Sequence, residues 1–238
     1  MADKLPLLLL PGMTCDVAFW RAQIEGLSDI AEPRAIGFGT LDSFEAMADK
    51  ALSQAPARFA IAGHSMGGRV AQEVYRKAPD RVAKLALLAT DYRGHADGAA
   101  RAAEEERRAA MLAKVDAEGM VAFARGWAKV VLAPANLGNA ALVDDVVAMM
   151  ARHSREVLAA QTLAGLTRPD YTDMLVRIAV PTLLVAGETD TLRPVAVHRE
   201  MAARIADSHL VVIADSGHMV AMEQPIRLTA AMRDWLKS

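Results

Sequence analysis

Ser65 lies in Gly63-His64-Ser65-Met66-Gly67, and its flanks give it a setting in which a serine can become a nucleophile. The apolar run Phe59-Ala60-Ile61-Ala62 reads as a strand, and the segment from Arg69 to Lys77 reads as a helix. The serine falls on the tight turn between them, the context that makes a Gly-x-Ser-x-Gly pattern chemically meaningful. Such a turn holds the serine in strained backbone geometry, and Gly63 and Gly67 let the two segments cross closely. The hydroxyl then sits at a helix N-terminus, where developing negative charge is favoured. A serine hydroxyl attacks poorly until a base removes its proton, and that base is commonly a histidine oriented by a carboxylate.

Of the six histidines, His218 in Ala214-Asp215-Ser216-Gly217-His218-Met219 is the best placed. It follows the last apolar strand and precedes the final helix, so it belongs to a loop at the carboxyl edge of a sheet. For the acid, Asp190 in Gly187-Glu188-Thr189-Asp190 follows the strand Thr182–Ala186. Asp91, after an earlier strand, is its main rival. Glu188 stands two residues nearer its strand and points elsewhere, and Asp215 is close enough to His218 to shape the turn instead. The expected order along the chain is nucleophile, acid, base: Ser65, Asp190, His218.

These residues need a scaffold that brings strand ends together. Leu5–Leu10, Arg34–Gly37, Phe59–Ala62, Leu85–Ala89, Thr182–Ala186 and Leu210–Ile213 read as strands. Helical patterns fall near Val17–Leu27, Ser43–Gln54, Arg69–Lys77, Val195–Ile205 and Pro225–Lys237. Alternation of this kind implies a parallel sheet covered on both faces, with reactive residues in loops at the carboxyl ends of the strands. Residues 92–174 break the alternation and read as helical. Met120, Phe123, Trp127 and Val130 recur at helical spacing, as do Leu142, Val146, Met149, His153 and Val157. The expected organisation is a core of residues 1–91 and 175–238, with residues 92–174 inserted as a helical lid.

The chain has 238 residues, 53% of them hydrophobic, which suits one sizeable domain and excludes a disordered protein. The formal net charge of −2 gives no footprint for nucleic acid or an anionic membrane. Leu5–Leu10 is too short to span a bilayer and lacks a signal-peptide context, so it reads as a buried strand. Cys15 is the only cysteine, which excludes an intrachain disulfide and fits a cytoplasmic protein. Cys15 itself reads as a small buried hydrophobe. No His/Cys/Asp cluster has metal-ligand spacing and no glycine-rich phosphate loop occurs, so no cofactor and no metal are expected. The pattern fixes no oligomeric state.

Taken with the Ser65–Asp190–His218 order, the phrases Gly63-His64-Ser65-Met66-Gly67-Gly68 and Ser216-Gly217-His218-Met219-Val220-Ala221-Met222-Glu223-Gln224-Pro225 resemble the α/β-hydrolase superfamily. The likeness is to its single-domain bacterial esterase, lactonase and carbon–carbon-bond hydrolase branch, and it covers nearly the whole chain. The resemblance implies an α/β-hydrolase fold with Ser65, Asp190 and His218 as a catalytic triad. It also implies an oxyanion hole of two backbone N–H groups, from Met66 and from Met13 in Leu10-Pro11-Gly12-Met13-Thr14. Relatives often carry histidine at the position of Pro11, but the donor is main-chain. Relatives also have a strand pair before the oxyanion strand. Here that strand starts near residue 5, so about six strands are expected, with the sheet short at that edge.

The function implied is cofactor-independent hydrolysis of a small-molecule ester or lactone, with no nucleic-acid or membrane partner. The same residues in relatives also serve carbon–carbon-bond and thioester hydrolysis, and some members of the fold only bind ligands. Aspartate-nucleophile chemistries are disfavoured by the serine at 65. Phe123, Trp127 and Met149, with Met111 and Met120, suggest a mainly apolar pocket. His153 either lines it or packs. Arg125, Arg168 or Arg193 would bind a substrate carboxylate if turned inward.

Overall fold

Along the first strand, side chains alternate between two separate cores. Leu7 and Leu9 pack on one face of the sheet, Leu8 and Leu10 on the other. Ala60 and Ala62 against Phe59 and Ile61 repeat the split in the next strand inward. A strand with both faces buried is the condition for an all-parallel sheet. In the computed structural model, which describes residues 4–238, six strands pair in parallel: β1 (Leu5–Leu10), β2 (Ala31–Ala35), β3 (Phe59–His64), β4 (Val82–Leu88), β5 (Thr182–Gly187) and β6 (Ser208–Ile213). Their spatial order is β2-β1-β3-β4-β5-β6, so the order reverses between β1 and β3. At such a switch point the loops leaving two neighbouring strands diverge and open a crevice at their carboxyl ends.

The core helices are α1 (Arg21–Leu27), α2 (Phe44–Gln54), α3 (Met66–Lys77), α8 (Val195–Ala202), α9 (Val220–Glu223) and α10 (Pro225–Lys237). Local chemistry sets several of their starts. Ser43 caps α2 by accepting from the Ala46 amide at 3.2 Å, and Pro225 opens α10, where no donor is needed. Residues Val17–Trp20 form a 3-10 turn rather than the first part of α1, because Asp16 caps it through the Ala18 amide.

The strand expected at Arg34–Gly37 lies at Ala31–Ala35 instead. Pro33 sits in its middle. A proline stops an interior strand, but β2 is the edge of the sheet, where its missing N–H is tolerated.

Between β4 and β5 the chain is helical: α4 (Gly98–Val131), α5 (Ala140–Ala151), α6 (Arg155–Leu166) and α7 (Thr172–Leu175). α4 is two helices in series, broken at Gly119, whose φ of 82° and ψ of 169° are not helical. The expected stripe through His153 also breaks. α5 ends at Ala151, and Ser154 caps α6 through the Val157 amide, leaving His153 in the intervening turn. Among the described residues no helix is long and apolar enough to cross a membrane.

Candidate active site

Four non-glycine residues have positive φ among the described residues: Thr14, Ser65, Ala89 and Asp215. They follow β1, β3, β4 and β6 respectively, all at the carboxyl edge of the sheet. Left-handed backbone in residues with a Cβ is unfavourable by about 1–3 kcal/mol each and persists only where the surroundings impose it. Its concentration at one edge marks where the fold stores strain.

Ser65 shows how the surroundings impose it. Its φ and ψ are 51° and −111°. Its amide donates to the Leu88 carbonyl at 2.9 Å, and its carbonyl accepts from the Thr90 hydroxyl at 2.7 Å. Strand β3 and helix α3 cross so closely that a Cβ on Gly63 would collide with the Gly67 carbonyl. The hydroxyl is thereby fixed at the head of α3, beside the loop that leaves β1.

His218 comes to Ser65 from the loop after β6. Its Nε2 is 2.9 Å from Ser65 Oγ, and its Nδ1 is 2.7 Å from Asp190 Oδ2. A carboxylate can only accept, so Nδ1 carries the proton, and Nε2 is left to accept from the serine hydroxyl. Asp190 is itself fixed, because Oδ1 accepts from the Leu192 amide at 2.8 Å and the Arg193 amide at 2.9 Å. Burial opposes its ionisation. The His218 charge and hydrogen bond, with these two amides, outweigh burial and hold the carboxyl at about 2. Asp91, its rival, points into the same cavity but binds Arg93 and the amides of Tyr92 and Arg93. Asp215, with φ of 55°, occupies the turn before His218.

The loop after β1 lies against the serine. A Cβ on Gly12 would stand 2.8 Å from His64 Nδ1 and 3.4 Å from Ser65 Cβ, so only glycine lets the loop approach this far. That brings Met13 to the wall of the Ser65 cavity, together with Met66. Neither amide, Met13 nor Met66, has a protein acceptor among the described residues.

Three residues that the sequence pattern did not single out hold this arrangement. Gln161, buried on α6, accepts from the Thr14 amide at 2.8 Å and donates to the Gly39 carbonyl at 3.1 Å. Glu223 accepts from the amides of Gly217, Met219 and Ala133 and from Asn136 Nδ2, at 2.7 to 3.1 Å. It thus grips both sides of His218. His198 accepts from the Thr90 amide through Nε2 at 3.2 Å, next to the elbow. A polar residue after the apolar run Val157-Leu158-Ala159-Ala160 is the only local signal for Gln161. His64 donates from Nε2 to the His218 carbonyl at 2.9 Å and stacks on Phe19 at 4.1 Å. Burial, then the His218 charge, pulls His64 down to about 3, so it stays neutral.

The cavity over Ser65 measures about 700 Å³. Phe123 and Trp127, stacked at 5.9 Å between centroids, line it, as do Met111, Val130 and Met150. Three expected lining residues do not: Met120, which packs against the hydrophobic core, Met149 and His153. Met149 turns into the hydrophobic core, since its neighbour Met150 takes the cavity face of α5, and His153 lies in the turn beyond that helix. The opposite wall is not apolar. Arg69, Arg108, Arg168 and Arg193 face the cavity, with Asp91 and Glu104 as the carboxylates. Arg168 binds Glu104 through two 2.8 Å contacts. Arg125 stays outside, exposed and 3.9 Å from Asp144. Cys15 is buried at the cavity wall, where burial first and Asp16 second push its thiol up to about 12. Among the described residues no group of three or more His, Cys, Asp or Glu side chains is placed to hold a metal ion.

A parallel sheet with order β2-β1-β3-β4-β5-β6, helices on both faces, a helical insertion after β4 and a strained serine after β3 define an α/β-hydrolase. The sequence matches the alpha/beta hydrolase family over residues 7–232, and the chain belongs to that family. A thermophilic esterase from Thermogutta terrifontis, solved with malate bound, is 32% identical, with a TM-score of 0.86 over 99% of this chain and 90% of that one. The pimeloyl-[acyl-carrier protein] methyl ester esterase of Aliivibrio salmonicida is 27% identical over 89% of this chain and 84% of its own length. The biotin biosynthesis bifunctional protein BioHC of Cellvibrio japonicus is 25% identical over 98% of this chain. The chain spans about half, 47%, of that bifunctional relative.

Proposed function

We propose that the protein hydrolyses a small carboxylic ester or lactone through an acyl-enzyme on Ser65. The observation that carries the reading is the continuous hydrogen-bonded line from Ser65 Oγ through the His218 imidazole to Asp190, at 2.9 and 2.7 Å. His218 Nε2 takes the hydroxyl proton as Ser65 Oγ bonds to the substrate carbonyl carbon. The carbonyl oxygen becomes an oxyanion between the amides of Met13 and Met66. Removing one such donor in well-studied hydrolases raises the barrier by about 3 kcal/mol. The C–O bond to the alcohol then breaks, and the His218 imidazolium gives its proton to the leaving oxygen. A water deprotonated by His218 attacks the acyl-serine, and collapse returns the proton to Ser65 and releases the acid. Asp190 remains ionised throughout and supports the imidazolium.

Residues 92–174 act in this reading as a lid. Their apolar wall excludes water from the oxyanion and strengthens the interactions that stabilise it.

The test is chemical labelling together with turnover. A fluorophosphonate should label Ser65 in the intact protein, as read by peptide mass spectrometry. Ser65→Ala should lose the label and cut turnover of a short nitrophenyl ester by roughly five to six orders of magnitude. Asp190→Asn should lose far more activity than Asp91→Asn. A label on a different serine, or the reverse order of the two aspartate variants, removes this assignment.

A further inference from the structure

Two arginines in the cavity wall are unlike the others. Arg69 is 4% exposed, and its guanidinium donates to the Arg93 carbonyl at 2.9 Å. Arg193 donates from Nη1 to the Leu192 carbonyl. Among the described residues neither guanidinium has a carboxylate within 4.0 Å. The nearby carboxylates are engaged elsewhere, Asp91 by Arg93 and Glu104 by Arg168. Arg193 is the largest neighbouring charge acting on Arg69, and it acts repulsively. Asp91 attracts both arginines but is hydrogen-bonded to Arg93, so two partly desolvated like charges share one carboxylate and a second anion between them is favourable.

Both arginines are tied to the candidate catalytic residues through the backbone. Arg69 stands one helical turn beyond Ser65, with its amide donating to the Ser65 carbonyl at 3.3 Å. Helical side chains lean toward the N-terminus, so Arg69 leans toward the serine. The Arg193 amide donates to Asp190 Oδ1. We infer that Arg69 and Arg193 form a subsite for a free carboxylate on the substrate, so that the ester or lactone cleaved at Ser65 carries a second, anionic end. This rests on the ester-hydrolase reading and gives it a substrate class. Planar guanidinium groups suit a carboxylate held through paired hydrogen bonds. The apolar wall of Phe123, Trp127 and Met150 takes the carbon skeleton between the two ends.

Matched substrates test this. Methyl monoesters of succinic, glutaric and adipic acids carry the carboxylate on the acyl side, and acetate esters of short hydroxy acids carry it on the alcohol side. Their neutral methyl ester counterparts carry none. The expected result is a kcat/KM ratio of about tenfold or more in favour of at least one charged member over its neutral pair. Arg69→Gln and Arg193→Gln should each lower that ratio by about tenfold, mainly through KM. Their Tm is followed alongside, because Arg69 also holds the Arg93 carbonyl. Preference for the neutral member in every pair overturns the inference. So does a ratio that neither variant moves, or a lower Tm with an unmoved ratio, which makes the arginines structural. If no ester is turned over and Ser65 resists labelling, the hydrolase reading fails instead. Calorimetry of the wild-type protein then still reads the subsite. Saturable glutarate binding lost in Arg69→Gln supports it, and no binding, or binding of inorganic phosphate alone, overturns it.

Discussion

Ser65 holds its hydroxyl 2.9 Å from the His218 imidazole, whose other nitrogen is held by the buried Asp190 carboxylate, and His64 bonds the His218 carbonyl. His64 is a buried imidazole whose Nδ1 has no partner among the described residues and whose Nε2–H is committed to the His218 carbonyl. Its protonation in the folded state is pushed down to about 3, whereas a histidine in the unfolded chain protonates near 6.5. Below about 6.5 the unfolded state therefore binds a proton that the native state refuses. Stability from this residue is fully present above 6.5 and is lost as pH falls toward 3. The slope is about 1.4 kcal/mol per pH unit in that interval. Asp190 acts lower, since its contribution is present above the usual aspartate value and fades as pH falls toward about 2. His64→Gln should flatten the stability profile between pH 5 and 6.5 by about one proton, measured by urea unfolding at several pH values. An unchanged slope would assign the acid sensitivity to other groups, such as His198, which burial also pushes down.

Elements rather than single contacts keep the site in register. The loop carrying His218 starts at the edge strand β6, yet its amide is bonded to the Val131 carbonyl at the end of α4 at 2.8 Å. Glu223, at the end of α9, joins that loop to Ala133 and Asn136 with four accepted hydrogen bonds. A glutamine in its place has one acceptor oxygen and turns an NH2 toward donors. Glu223→Gln should therefore destabilise the protein by about 2–4 kcal/mol and lower kcat with little change in KM, since the base and not the pocket is displaced. Thermal unfolding together with steady-state kinetics checks both parts. Equal losses in kcat/KM through KM alone would place the effect in substrate binding. Gln161 does for the loop after β1 what Glu223 does for the His218 loop, through the Thr14 amide.

What could be read along the chain, and what could not, follows from the range of the interactions. The alternation of Leu7–Leu10 and Phe59–Ala62 between two cores, and the turn at Ser65, are local patterns, so the α/β class and the position of the serine were legible. The strand expected at Arg34–Gly37 begins earlier, at Ala31, because a proline at 33 is tolerated only on an edge strand, and edge position is a property of the sheet. Met149 and Met150 are adjacent and alike in type, and only the packing of α5 decides which one reaches the cavity. The contacts of Glu223 with Ala133 and of Gln161 with Thr14 join distant segments, and no spacing within either segment announces them. The apolar stripes of the insertion suggested a mainly apolar pocket, and the spacing alone does not say which arginines turn inward. The arginine wall is assembled from α3, α4, the loop after α6 and the loop after β5, and it emerges only when these four segments converge.

The break at Gly119 divides the insertion into parts with different obligations. Beyond it, Val131 and Ala133 are bonded to the base loop, so that stretch shares its fate with His218. Before it, the helix packs Met111, Leu112 and Val115 on the core and is joined to α6 and the loop after it by side-chain ion pairs, Asp116 to Arg155 and Glu104 to Arg168, with no bond to the His218 loop among the described residues. The first stretch is therefore an exchangeable part and the second is not. Grafting the matching segment of the Thermogutta terrifontis esterase in place of residues 98–118 should alter the ester preference profile while turnover of the smallest ester persists. The same exchange over residues 120–136 should abolish turnover, as read by kcat/KM across an ester panel. In the natural diversification of such a chain, new substrate ranges would enter through the first half of one helix, while the second half is inherited together with the base.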